Sequence, residues 1–295
     1  MSGEEGQFDL ALQKERITDG WDALAETWDS WAAVVDEWFA PATSVLIDLL
    51  RLKAKDRVLE LASGSGGLTL RLARAVGPDG RVLATDSSPN MVKLAARNVR
   101  SAGLSNVVVR VMDGEHPDLT WASMDAIACR QGFMFFADPA AAMERLYRIL
   151  RPGGRLGVTV FSSPARNDFM TTPVSILSRR TNSETQPEFS AKGPGPFSLA
   201  EPELLESIFR RARFEQVTTR SVPSPLHLPS IQDLLRFDQQ FFGGIVSELP
   251  PAQQEEAWRE VVQASTTYVG SGSSGAPCEL IVTSGTRPSR QPGTG

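Results

Sequence analysis

The sequence predicts an α/β fold in which a mostly parallel sheet is covered by helices on both faces. Strand-like and helix-like runs alternate from residue 57 to 161 at the spacing of βαβ units. Two of the helices open with the same cap chemistry, Ser88-Pro89 and Asp138-Pro139. A run of small residues, Ala62-Ser63-Gly64-Ser65-Gly66-Gly67, joins the first of these strands to the first helix.

In chain order, residues 1–10 are polar and glycine-bearing, as expected of a flexible tail. Residues 11–52 read as an N-terminal helical cap. From Ile17 to about Leu50 the pattern is helical, with Trp21, Leu24, Trp28 and Trp31 three or four apart on one face and a second helix after Pro41. The core, 53–161, holds strands at Arg57–Ala62, Arg81–Asp86, Val107–Asp113, Asp125–Arg130 and Arg155–Phe161. Its helices stop at Gly77, at Gly103 and at Pro152-Gly153-Gly154. Residues 162–199 lose their periodicity around five prolines and are expected to form an inserted lid. Residues 200–285 complete the same domain, with helices at 201–212, 230–242 and 251–265 and strands at Phe214–Val222 and Glu279–Thr283. Pro, Gly, Ser and Thr at 286–295 predict a second tail.

Composition narrows the function. Hydrophobic residues at 41% and charged residues at 22% suit a globular core. A net charge of −5 without a basic stripe argues against gripping nucleic-acid phosphates. No apolar run reaches the ~20 residues of a membrane span, and the start MSGEEGQFDL is acidic rather than leader-like, so a cytoplasmic protein without membrane contact is expected. Cys129 and Cys278 sit in apolar strand-like runs and read as buried thiols. Two histidines, with no His/Asp/Glu cluster at ligand spacing, predict no metal.

The small-residue loop is ambiguous by itself. Ala62, Gly64 and Gly67 fit a degenerate GxGxxG, which would suit a dinucleotide, and Asp86 could hold a ribose in either case. The context favours a nucleoside. Glu60, Asp86 and Asp113 close three successive strands at the carboxyl edge, where open α/β sheets bind ligands, and the loop has no lysine for a pyrophosphate. A nicotinamide-dependent reductase would also want a Tyr-x-x-x-Lys relay, and Tyr147 is followed by Arg148, Ile149, Leu150 and Arg151.

The stretches VLELASGSG (58–66), VLATDSSPNM (82–91), VMDGEH (111–116), MDAIACRQGFMFFADP (124–139) and RILRPGGRLGV (148–158) resemble, in order, the class I S-adenosylmethionine-dependent methyltransferases. The resemblance is to the small-molecule branch that includes the menaquinone and ubiquinone C-methyltransferases. WDALAETWD (21–29) is similar to that branch's aromatic-Asp helix. Glu60 in place of Asp and Ala62 in place of the first Gly depart from the pattern, and Ala62 narrows the room for the cofactor's methionine end. The resemblance implies a Rossmann-like, seven-stranded sheet with its last strand antiparallel, and S-adenosylmethionine as cofactor. It places Glu60, Ala62, Ser63, Gly64, Ser65 and Gly66 around the methionine portion and Asp86 with Ser87 at the ribose. Met91 would pack on the adenine, Asp113 and Gly114 would read its edge, and Cys129, Arg130 and Trp28 would face the sulfonium side.

Methyl transfer from a sulfonium is an in-line displacement that needs positioning and a dry pocket more than a catalytic triad. His227 is the candidate general base, whereas His116 reads as a loop residue. Trp21, Trp28, Phe133, Phe136, Phe169 and Phe197 are the expected pocket wall, with Trp31 and Trp38 assigned to the core. The end of the fourth strand, Cys129-Arg130-Gln131-Gly132, lacks the Asn/Asp-Pro-Pro-aromatic motif of nucleic-acid amino-methyltransferases. A small, largely apolar organic acceptor is left, natural-product or quinone-like, with the methylated atom and any homo-oligomer open. An S-adenosylmethionine-binding scaffold without turnover is the competing reading. Methyl transfer is expected to survive dialysis against EDTA. Loss of turnover restored by Mg²⁺ would instead reveal a carboxylate-bound ion.

Overall fold

The computed structural model describes the backbone of residues 2–181, 193–270 and 273–289, with side chains from residue 11 onward. Seven strands form one sheet: β1 (Arg57–Leu61), β2 (Arg81–Asp86), β3 (Val107–Val111), β4 (Met124–Arg130), β5 (Leu150–Phe161), β6 (Glu215–Pro223) and β7 (Glu279–Thr286). Their order is β3-β2-β1-β4-β5-β7-β6, with β7 antiparallel to both neighbours and the first five strands parallel.

Ten helices are described: α1 (Ser2–Ser30), α2 (Ala32–Trp38), α3 (Ala40–Leu50), α4 (Gly67–Val76), α5 (Pro89–Ser101), α6 (Pro139–Ile149), α7 (Asp168–Arg180), α8 (Pro202–Arg211), α9 (Ile231–Phe242) and α10 (Pro251–Ser265). The chain moves one way along the sheet from β1 to β3 and the other way from β4 to β5. Right-handed crossovers therefore put α4 and α5 on the face opposite α6. The caps read from the sequence are in place. Ser88 accepts from the Met91 N–H and Asp138 from the Ala141 N–H, with Pro89 and Pro139 in the first helical turn.

Several elements differ from expectation. The N-terminal cap is three helices, because the chain turns at Trp31 and again at Phe39, ahead of Pro41 in the first turn of α3. The tail expected over 1–10 is drawn into α1 from Ser2 onward. The tail expected from residue 286 is not found at its start. Thr286 still pairs in β7, and the Arg287 guanidinium donates to the carbonyls of Tyr147, Arg148 and Leu150; residues 290–295 lie outside the described residues. Arg151-Pro152-Gly153-Gly154 is looped out of the β4–β5 ladder between the pairs Met124–Leu150 and Ala126–Arg155.

The segment 162–199 is not without periodicity. It contains a 3₁₀ turn at Pro164–Arg166 and the helix α7, which buries Phe169, Val174, Ile176 and Leu177; residues 182–192 of the expected lid lie outside the described residues. Pro173 falls inside α7, where its missing N–H normally breaks a helix. Packing of α7 against α10 and α9 overrides that preference.

The core runs from the underside of α3 through both layers of the sheet. Leu46 and Leu50 of α3 are fully buried, and a Cβ at Gly157 of β5 would lie 2.6 Å from Leu46. Leu46→Ala is expected to cost about 2–5 kcal/mol of stability in a urea titration, because the contact leaves no room for the neighbours to collapse inward.

Candidate functional site

Between β1 and β4 the strand order reverses, and their carboxyl ends frame the crevice in which doubly wound sheets bind ligands. Both strands leave the sheet through a residue in left-handed conformation, Ala62 (φ 52°) and Gln131 (φ 59°). Gly132 sits so close to Ala62 that a Cβ there would lie 2.2 Å from the alanine Cβ, so the turn after β4 admits only glycine. At Gly67 a Cβ would run into the Asp36 carboxylate and the Arg130 guanidinium.

A chamber of about 350 Å³ opens at this point. One end is polar. Asp86 is buried, and its oxygens accept from the Gly64 and Ser88 N–H groups at 2.9 Å each. Burial raises its pKa against the pull of these donors. Glu60 is fully buried, and Thr69 Oγ1 donates to its Oε2 at 2.5 Å. Burial pushes the Glu60 carboxyl up to about 8, with the Thr69 hydroxyl and the Arg130 charge working the other way. Asp113 follows the opposite course. Burial opposes its ionisation, yet the Lys14 ammonium, the Glu115 N–H and the His116 ring together hold it below the usual carboxylate range.

The other end is aromatic. Trp38, Phe39, Phe161, Phe169, Phe237 and Phe241 line it, and Trp38 meets Phe169 edge-on with ring centroids 4.6 Å apart. Trp21 and Trp28 of α1 stand between the two ends, 5.4 Å apart and nearly perpendicular. Trp28 passes over the glycine loop, its Nε1 3.5 Å from where a Gly64 Cβ would be.

The aromatic-Asp motif of the first helix now has a physical account. Asp22 and Asp29, seven residues apart, lie on one face of α1, and both dock on α5. Asp22 accepts from Ser88 Oγ (2.6 Å) and the Asn90 N–H (2.8 Å), while Asp29 accepts from Asn98 Nδ2 (2.8 Å) and pairs with Arg97. Ala25, midway between them, is buried against Met91 and Leu94, where its small side chain permits the close approach.

Of the sequence-predicted residues, Trp21, Trp28, Glu60, Ala62, Ser63, Gly64, Asp86, Ser87, Met91, Asp113, Gly114, Arg130, Phe136 and Phe169 line the chamber. Ser65 and Gly66 do not. They face a second cavity of about 410 Å³, which shares Trp28, Ser63 and Arg130 with the chamber. Cys129 is sealed in the sheet, its thiol pushed up to about 12 by burial, and does not line the chamber. Phe133 is wholly buried beneath Phe136, and Phe197 lies behind Phe161, so both support the wall rather than form it. His227 is exposed, sits against Gly275 beside the Leu226–Ala276 bridge, and does not line the chamber. Trp38, expected in the core, reaches the chamber. Trp31 does not, and donates instead to Gln240 Oε1 at 2.6 Å.

Lys14, Gln131, Phe237 and Phe241 were missed. Lys14 carried no local signal, because its partners Asp113 and Glu115 lie a sheet's width away in sequence. The apolar stripe of α9 resembles that of any core helix.

Sheet order, glycine loop and strand-end carboxylates are those of the class I S-adenosylmethionine-dependent methyltransferases, and together with the similarities below they support that class and S-adenosylmethionine as the cofactor. Residues 58–154 match the family model described as a methyltransferase domain. The chain is 28% identical to nocamycin O-methyltransferase of Saccharothrix syringae across 67% of this chain and 72% of that one. It is 37% identical to demethylmenaquinone methyltransferase of Thermus thermophilus across 42% of this chain and 55% of that one, so it spans about half the length of that relative. Among solved structures the fold is similar to that of the cyclase SpnF, with a TM-score of 0.57 and 18% identity over 90% of this chain and 96% of that one.

Buried Glu60 makes the fold sensitive to alkali. Between the ordinary glutamate value near 4.5 and about 8, the folded carboxyl keeps its proton while the unfolded one has lost it. Its contribution is therefore complete below pH 4.5 and is lost as pH rises through 8. In urea titrations at pH 5, 6.5 and 8 the wild-type unfolding free energy is expected to fall steadily relative to Glu60→Gln, by ~1.4 kcal/mol for each pH unit within the window. Parallel profiles for the two proteins would show that Glu60 ionises freely in the fold.

Proposed function

We propose that the chain transfers a methyl group from S-adenosylmethionine to a small, largely apolar, natural-product or quinone-like acceptor, as a cytoplasmic enzyme. The observation that carries this reading is the two-ended chamber, with three carboxylates on the glycine-loop side and an aromatic enclosure on the other. The residues present fit the cofactor. Each Asp86 oxygen holds one backbone N–H and keeps accepting capacity for a ribose hydroxyl, and Ser63 Oγ is buried on the loop without a partner. Glu60, Ser63, Gly64 and Arg130 would surround the methionine portion, Asp86 and Ser87 the ribose, and Met91, Asp113 and Gly114 the adenine. Lys14, paired with Asp113 and Glu115, would close α1 over the base. The bound cofactor supplies an electrophilic methyl on a sulfonium. The chain's part is to exclude water with Trp21, Trp28 and the phenylalanines and to hold the acceptor in line.

The net charge of −5 supports a small-molecule rather than a nucleic-acid acceptor. A second reading, cofactor binding without methyl turnover, draws on one observation: no histidine is among the described residues lining the chamber. Product analysis with a quinol and phenol panel separates the two.

Asp86→Ala is expected to weaken S-adenosylhomocysteine binding at least tenfold in calorimetry, since the lost contact is charge-assisted and buried. An unchanged affinity would remove Asp86 from the ribose site.

A further inference from the structure

Among the described residues, the aromatic end of the chamber contains one side-chain acceptor that the cofactor reading leaves unused, the amide oxygen of Gln131. This oxygen, Oε1, is buried and has no hydrogen-bond partner. The rest of the residue is firmly held. The backbone N–H donates to the Thr159 carbonyl at 3.0 Å, and Nε2 donates to Thr159 Oγ1 at 3.3 Å. A non-glycine residue in left-handed conformation persists only where its surroundings over-determine it, as β5 does here. A buried acceptor left unpaired costs about 1–3 kcal/mol, a cost relieved when a donor arrives.

The surroundings restrict what that donor can be. Trp38, Phe39, Phe161, Phe169 and Phe237 offer flat apolar surface and no competing carboxylate. The acidic groups that line the chamber are engaged elsewhere: Glu60 with Thr69, Asp86 with the Gly64 and Ser88 N–H groups, Asp113 with Lys14, and Glu115 with the Ala137 and Asp138 N–H groups. Among the described residues lining the chamber, the other unpartnered polar atoms are Ser63 Oγ, which sits on the glycine loop, and Trp38 Nε1, which can only donate and lies beside the Cys278 thiol. A cationic amine would meet π-faces but no counter-charge on this side. A neutral hydroxyl on an aromatic ring finds both the stacking surface and a single acceptor atom.

We propose that Gln131 is the acceptor-recognition residue: its side-chain oxygen takes a hydrogen bond from a neutral hydroxyl of an aromatic or polycyclic acceptor stacked in the aromatic end of the chamber. Gln131 thereby sets which acceptors bind and how they are turned. This rests on the reading of the chamber as a cofactor-plus-acceptor site, and it deepens that reading by naming the acceptor's chemistry.

The test uses the full chain saturated with S-adenosylhomocysteine and three probes, 2-naphthol, 2-methoxynaphthalene and naphthalene, with binding followed by tryptophan fluorescence. 2-Naphthol is expected to bind at least tenfold more tightly than 2-methoxynaphthalene. Gln131→Leu is expected to bring the two within twofold while S-adenosylhomocysteine affinity stays within twofold of wild type. Gln131→Met, closer in length, gives the same readout if the leucine variant disturbs the left-handed turn. Gln131→Glu, which keeps an acceptor oxygen, should keep the preference. A preference for the methoxy probe would show that the amide presents its NH₂ group to the chamber and would overturn the proposal. So would absence of naphthol binding, or a hydroxyl preference that persists in the leucine and methionine variants. Failure of S-adenosylhomocysteine to bind the wild type would overturn the underlying reading of the chamber instead.

Discussion

The contact between Ala62 and Gly132 is the constraint on which the site depends. It sits where two neighbouring parallel strands send their crossovers in opposite directions, so the loops after β1 and β4 diverge and leave a crevice between them. For the strands to stay paired up to that point, the two turns must nearly touch. Left-handed Ala62 and Gln131 turn the chain within one residue, and the missing side chain at 132 removes the collision. An alanine at 62 therefore does more than narrow the methionine end. Its methyl occupies the space that glycine at 132 vacates.

The polar end concentrates groups that water would otherwise hold. Glu60, Asp86 and Arg130 are all drawn out of solvent, and each is compensated differently. A hydroxyl from Thr69 serves the first, backbone N–H groups serve the second, and Asp36 with Thr43 serves the third, at 3.5 and 3.2 Å. Burial lowers the Arg130 pKa while Asp36 and Glu60 raise it. These partners are part of a fold in which the carboxylates stand in fixed positions before any ligand arrives, so little reorganisation is left for the binding event. The aromatic end is held by edge-to-face contacts from Trp38 of α2 to Phe169 of α7 and to Phe237 of α9, joining segments far apart in the sequence.

What could be read in advance follows from how local each signal is. The βα units were legible because Ser88-Pro89, Asp138-Pro139 and the glycine loop are statements about backbone geometry that need no tertiary context. Glu60, Asp86 and Asp113 could be placed at one edge because strand ends are close in any parallel sheet. α7 was hidden because Pro173 contradicts it locally, and only packing on α10 resolves the conflict. Phe237 and Phe241 could not be told from core residues, since a helix face carries no mark of what it will face. His227 shows the complementary limit: a lone histidine advertises chemistry, but only the fold shows that it does not line the chamber. The spacing of Asp22 and Asp29 was visible as a motif, and its meaning, two anchors on α5, needed the coordinates.

The position of α1 has an electrostatic corollary. Its Lys14 and Asp29 tie the helix across both flanks of the chamber through ion pairs that are partly exposed, with side-chain exposures of 29% and 37% for Lys14 and Asp113 and of 49% and 15% for Arg97 and Asp29. Such pairs are individually weak and are screened by salt over a distance of about 8–10 Å. The apolar residues beneath the helix are not screened. Dissolved electrolyte thus weakens the ion pairs at both flanks of α1 while leaving the packing of Ala25 on Met91 and Leu94 in place.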